Sequence, residues 1–281
     1  MLKEWPLVAF TILGQTAVGL FTFSATIFCL LPLTPDDPMR EWLWTWQPVV
    51  LGLLIVAALL SFFHLRHPFR ARRVLANFRT SRLSREIFFM LAFMFLVAGE
   101  MLLVAMNATV GVLRSVQVAG CLAGGLFLYS MIGLYMLVTL PFWSQAGTPI
   151  SFIGSSLALG AVALTVFGGR FIWIPAAVLF VFLDLVGSVL FTPGYGLLSR
   201  RPAASLRPTA IAPSFFHLLG LGLESVGLFL LIIIALSVSR EWEGPVPLMA
   251  ICVALILAGQ VIRRFLFYGL IQRPGDWTIQ S

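Results

Sequence analysis

A window of about 19 residues moved along the chain finds eight apolar stretches, at roughly 6–32, 47–64, 87–106, 114–141, 150–169, 171–192, 214–238 and 246–270. Each is long enough to cross the ~30 Å hydrocarbon layer as a helix. Nothing elsewhere supplies a soluble surface: of 281 residues 60% are hydrophobic and only 10% charged, and mean hydropathy is +1.01. Soluble domains carry about 25% charge. The expected fold is therefore all-α and integral to the membrane, with eight transmembrane helices in two four-helix halves. Residues 1–281 read as a single polytopic domain, and an even number of spans puts both termini on one side.

Pro and Gly punctuate most breaks between spans, as in PLTPDDP (32–38), WSQAGTP (143–149), TPGYG (192–196) and EGPVP (243–247). The fifth and sixth spans are separated only by Gly168-Gly169-Arg170. The first run is far longer than the 7–15 apolar residues of a signal peptide and no small-x-small cleavage site follows, so it reads as a retained helix. Cys29, Cys121 and Cys252 are scattered, whereas a disulfide framework, zinc site or iron–sulfur site needs clustering. Neither a haem nor an iron–sulfur cluster is expected in this chain.

The charges are lopsided. Lys3, seven arginines from Arg66 to Arg85, and Arg200, Arg201, Arg207, Arg263, Arg264 and Arg273 make fourteen on the side of the termini; Arg40, Arg114, Arg170 and Arg240 make four on the other. The positive-inside rule then places both termini in the cytoplasm. A docking surface for a partner subunit would give the same excess. In a soluble protein the arginine loop would suggest nucleic acid, but here the expected surroundings are the lipid bilayer, and no nucleic-acid partner is expected. Trp42, Trp44 and Trp46 crowd the first loop, as an interfacial belt or as a short helix over a site.

Polar groups inside spans are costly, about 2.5–3.5 kcal/mol for a mid-membrane carboxylate. Gln15, Glu100, Asp184, Glu224 and Gln260 lie within spans, and Glu86 opens the third. Several follow a small residue (Gly14-Gln15, Gly99-Glu100, Gly259-Gln260, and more loosely Gly222-Leu223-Glu224), a pattern that lets helices approach while the polar group bonds across. Asp184 and Glu224 each sit about 15 Å from the same membrane face and could meet; Glu100 lies on nearly the same helix face as Glu86, some 21 Å deeper. Glu100, Asp184 and Glu224 read either as a proton route or as buried hydrogen bonding by protonated carboxyls.

His64 closes the second span and Glu86 opens the third, at one depth on the basic side. Helix-dipole pairing explains both residues, and lipid headgroups explain the arginines. A chemical alternative is quinol oxidation, which releases two protons and two electrons. Histidine and carboxylate are natural proton acceptors, at a bundle edge where a lipid-soluble substrate arrives. His64, His67 and His217 do not form a pair of buried haem ligands, so the electrons would leave for another subunit.

The segments EWPLVAFTILGQTAVG (4–19), HLRHPFRARRVLANFRTSRLSREI (64–87) and AGQVIRRFLFYGL (258–270) resemble the membrane anchor subunit of dimethyl sulfoxide reductases, the DmsC family. The resemblance spans all eight predicted helices, and the His-Leu-x-x-Pro-x-Arg-Ala and Leu-Ser-Arg-Glu-Ile motifs are its most specific part. It implies an anchor that oxidises menaquinol, binds no haem, and holds a ferredoxin-like iron–sulfur subunit that feeds a molybdopterin catalytic subunit. It also implies that His64 and Glu86 handle quinol, with Arg70 orienting Glu86 or docking the partner. Two positions depart from the family pattern. Arg66-His67 stands where a glycine and a small or basic residue are typical, and Gln260 stands where a glutamate is usual. An amide cannot relay a proton by ionising, so Gln260 reads as structural. The alternative function is a secondary transporter or proton-coupled carrier using Glu100, Asp184 and Glu224, although no internal repeat or matched pair of broken helices of the kind such carriers often show is evident.

Overall fold

In hydrocarbon every backbone amide and carbonyl needs a partner within the protein, and a helix supplies it locally. The computed structural model describes residues 5–30, 39–64, 77–79, 81–136, 144–167, 173–199, 211–237 and 246–269, with some side chains near helix ends, His64 among them, outside that description. Eight helices fill it: α1 (Trp5–Leu30), α2 (Met39–His64), α3 (Arg82–Ala105), α4 (Val110–Tyr135), α5 (Gly147–Phe167), α6 (Ile174–Ser199), α7 (Ile211–Ser237) and α8 (Val246–Gly269). Among the described residues, six are long and apolar enough to cross a membrane, while α2 and α6 carry shorter apolar stretches, Thr45–Ser61 and Ile174–Leu190.

Local chemistry sets the ends. Ser81 caps α3, its Oγ accepting from the Ser84 amide at 3.3 Å. At the other end Asn107 adopts φ 54°, a left-handed conformation that asparagine tolerates. The Asn107 amide then donates to Val104 O at 3.0 Å and the Ala108 amide to Leu103 O at 2.9 Å, the paired bonds of a Schellman stop. The next helix starts at once after Thr109.

The first loop requires a correction. Helix α2 begins at Met39 and runs through Pro48, so Trp42, Trp44 and Trp46 lie on a helix. Trp46 is 3% exposed and part of the core, so it does not belong to an interfacial belt; the side chains of Trp42 and Trp44 are outside the described residues.

Packing follows chain order. Helices α1 to α4 pack in sequence, with α4 returning to α1, and α5 to α8 do the same, with α8 touching α5; the two sets meet mainly along α1 and α5. One core lies chiefly in the first set, with Phe21 edge-on to Phe93 at 5.1 Å. A second lies among α5 to α8.

Glycine decides how close the sets come. A Cβ on Gly19 would collide with the Ser156 carbonyl, and one on Gly160 with the backbone of Gly19 and Leu20; Ser156 Oγ donates to Gln15 O at 2.8 Å across the same crossing. A Cβ on Gly259 would likewise meet the Gly220 carbonyl at 2.6 Å, whereas one on Gly99 or Gly222 would meet open space. The small residue beside a polar one therefore marks a backbone crossing at Gly259 but not at Gly99 or Gly222.

These spaces give one substitution opposite signs. Gly19→Ala forces α1 from α5 and should lower stability by about 1–3 kcal/mol, whereas Gly52→Ala, with no atom within 4 Å of the new Cβ, should be neutral or stabilising by up to about 1 kcal/mol. Thermal midpoints in detergent check both.

Candidate functional site

Polar side chains collect inside one end of the bundle, where α1, α3, α5 and α7 begin and α4, α6 and α8 finish. The Ser81 cap fixes the start of α3, and the helix period then turns Ser84, Glu86, Met90, Phe93, Val97 and Glu100 inward together. Glu86 is 4% exposed, and its Oε1 has no hydrogen-bond partner among the described residues. Tyr135 of α4 and Tyr268 of α8 lie close enough to interact with its charge. Their rings are 5.3 Å apart. Thr11 Oγ1 donates to Leu7 O at 2.7 Å, which commits its proton, so in the 2.6 Å contact between Tyr268 OH and Thr11 Oγ1 the tyrosine is the donor.

Of the partners expected for Glu86, His64 is the last residue of α2, which packs against α3; its side chain lies outside the described residues. Arg70, Arg66 and His67 fall there entirely.

A second polar cluster lies in the other half. Arg263 donates to Asp184 Oδ2 at 2.6 Å and forms an ion pair with Glu224; it also donates to Ser188. Asp184 Oδ1 accepts from Ser151 at 2.7 Å and Ser155 at 2.9 Å. Arg264 reaches Ser155 and Gln15, each at 3.2 Å, with its guanidinium 3.8 Å over the Phe152 ring. All four charged groups are buried. Arg263 bridges the two carboxylates, and Arg264 lies next to it on the same helix. A small cleft beside it, lined by Thr148, His217, Gln260 and both arginines, has about 30 Å³ of free volume, room for about two waters.

The structure thus brings Asp184 and Glu224 together through Arg263, and it does not bring Glu100 to them. Glu100 accepts from Gln117 at 2.7 Å, while Met90, Phe93 and Val97 occupy the buried face between it and Glu86. Arg263 and Arg264 correct the charge map. They are buried in α8 and contribute nothing to a cytoplasmic surface, leaving twelve basic residues against four. These arginines, Tyr135 and Tyr268 are the polar residues that periodicity alone does not single out. A signal for the arginines is present, since two adjacent charges inside an apolar run need interior partners. Among the described residues, no three His, Cys, Asp or Glu side chains gather as a metal site.

These features define a multi-pass helical membrane protein with clusters of polar side chains buried inside its bundle. Residues 1–270 match the family model described as DMSO reductase anchor subunit (DmsC), and the protein belongs to that family of membrane anchors. It is 29% identical to the C subunit of the anaerobic dimethyl sulfoxide reductase of Escherichia coli, an alignment covering 97% of this sequence and 96% of that one. It is 30% identical to the corresponding C subunit of Haemophilus influenzae, over 96% and 95%, and 29% identical to the anaerobic dimethyl sulfoxide reductase subunit YnfH of E. coli, over 97% and 96%. No solved structure matches the protein.

Truncating Arg263 strands two buried carboxylates. Arg263→Ala should cost about 3–5 kcal/mol, whereas replacing Arg263, Asp184 and Glu224 together by Met, Leu and Met should recover most of it. Unfolding midpoints of the purified variants measure the difference.

Proposed function

We propose that this protein is the membrane anchor of a dimethyl sulfoxide reductase-like complex and oxidises menaquinol at the corner formed by His64 and Glu86. In this reading all eight helices span a bacterial inner membrane as a single polytopic domain, with both termini in the cytoplasm. A ferredoxin-like iron–sulfur subunit docks on the anchor and passes electrons to a molybdopterin catalytic subunit. Each turnover takes two protons and two electrons from the quinol. Glu86 accepts one proton from a quinol hydroxyl and His64 the other, or His64 donates a hydrogen bond to the ring oxygen and the second proton passes to water; both electrons leave to the iron–sulfur subunit. Arg70 orients Glu86 or holds the docked partner.

The observation that carries this reading is the state of Glu86. It is a buried acid, placed by a capped helix near one end of the bundle, and its Oε1 has no hydrogen-bond partner among the described residues. A buried polar atom left unsatisfied is costly, and a substrate hydroxyl would relieve it. Membership of a family of DMSO reductase anchor subunits supports an anchor that serves a reductase. The pairing of Arg263 with both Asp184 and Glu224, remote from Glu100, favours a structural role for these acids over a carrier's proton route.

Glu86→Gln removes the ionisable oxygen while keeping the side chain's shape. The complex should assemble with its metals, and reduction of the terminal acceptor by an artificial donor should continue, while menaquinol-driven turnover should fall by at least the ~100-fold typical of a lost proton acceptor. Menaquinol-driven turnover at the wild-type rate would refute the assignment.

A further inference from the structure

Outside this corner, the start of α3 and the end of α4 form a groove of about 470 Å³. Its walls include Phe78, Phe89, Leu126, Tyr129 and Ile132, and its rim carries Arg82 and Arg85. The Phe78 ring rests edge-on against Phe88 at 4.7 Å and Phe89 at 5.8 Å, which ties the segment before α3 to the groove wall. Tyr129 is 70% exposed, and Leu126 and Phe88 are also exposed, so the groove opens on the outward, apolar surface of the bundle.

The rim decides what fits. Arg82 donates from Nη1 to Gly133 O and to Met136 O, the latter at 3.0 Å, which fixes its guanidinium over the last turn of α4. A guanidinium carries five N–H donors, so others remain for a ligand. The Arg85 guanidinium has no ion-pair or hydrogen-bond partner among the described residues. Among its described lining residues the groove has these two cations, the Tyr129 and Ser130 hydroxyls, and no carboxylate or imidazole. A quinol hydroxyl would find no proton acceptor there other than hydroxyls and backbone carbonyls. An amphiphile with an anionic head and an apolar tail matches both rim and wall.

We propose that this groove binds an anionic phospholipid, its phosphate held by Arg82 and Arg85 and an acyl tail lying along Phe89, Leu126 and Ile132. Basic pockets between membrane helices on the cytoplasmic side hold such headgroups, and each arginine at the surface contributes about fivefold. The lipid would bridge α3 and α4 on the outer side of the helix that carries Glu86.

The test is lipid extraction and mass spectrometry on the full-length protein in its native complex, purified in mild detergent. The readout is bound phosphatidylglycerol plus cardiolipin relative to phosphatidylethanolamine, compared with the bulk membrane. The wild type should be enriched in anionic lipid. Arg85→Gln should cut the enrichment about fivefold, and Leu126→Trp, which fills the groove with both arginines in place, should abolish it; thermal midpoints confirm that each variant is folded. No enrichment in the wild type, or enrichment unchanged in folded variants, overturns the proposal. So does a stoichiometric quinone that is lost with Leu126→Trp while phospholipid is unaffected. None of these outcomes depends on Glu86 taking a proton, which the Gln variant tests separately.

Discussion

In a hydrocarbon solvent a charged side chain has only other protein groups to satisfy it. The arrangement of α5 to α8 follows from that constraint at Arg263. This guanidinium, carried by α8, meets Asp184 of α6 and Glu224 of α7, and Asp184 also receives hydroxyls from Ser151 and Ser155 of α5. Four helices are held by one cluster. Glycines let them close around it, since Gly154 of α5 approaches the Asp184 backbone and Gly220 and Gly259 bring α7 against α8. A bulkier residue at these crossings would lengthen every ion pair in the cluster.

Arg264 and Tyr268 extend the same logic to the first half of the bundle. Arg264 bonds Gln15 of α1, and Tyr268, one turn further on, bonds Thr11 of α1 while lying against Tyr135 of α4. The last helix therefore ties the ion cluster to the corner that holds Glu86. On this layout the second half serves as a rigid support: it fixes α8, α8 fixes the tyrosines, and the tyrosines form the inner wall behind the acid. Glu86 itself keeps an open acceptor, which contrasts with the multiple partners of Asp184. Two buried carboxylates in one protein are thus treated in opposite ways, one saturated and one left available.

Much of this is legible in the sequence. The apolar periodicity identifies an all-helical membrane fold, and the isolated acids mark the polar interior because nothing else explains their cost. Where sequence and structure part, the cause is specific. The tryptophans of 42–46 look like a loop because Pro48 and nearby charges mimic a break, yet the helix passes through them. Arg263 and Arg264 look like surface charge because residue counting cannot see that partners on α5, α6 and α7 await them. The pairing of Asp184 with Glu224 is visible as equal depth, but their shared arginine depends on helix rotation, which tertiary packing sets. Glu100 looks aligned with Glu86 by period alone, and the apolar residues stacked between them break that line.

The central claim is that this protein anchors a molybdenum and iron–sulfur reductase in the membrane. The most direct measurement is the molybdenum and iron content of whatever co-purifies with the tagged protein from native membranes in mild detergent. An anchor of this kind should bring both metals in near-stoichiometric proportion to itself. Intact protein recovered alone, with neither metal, would contradict the claim.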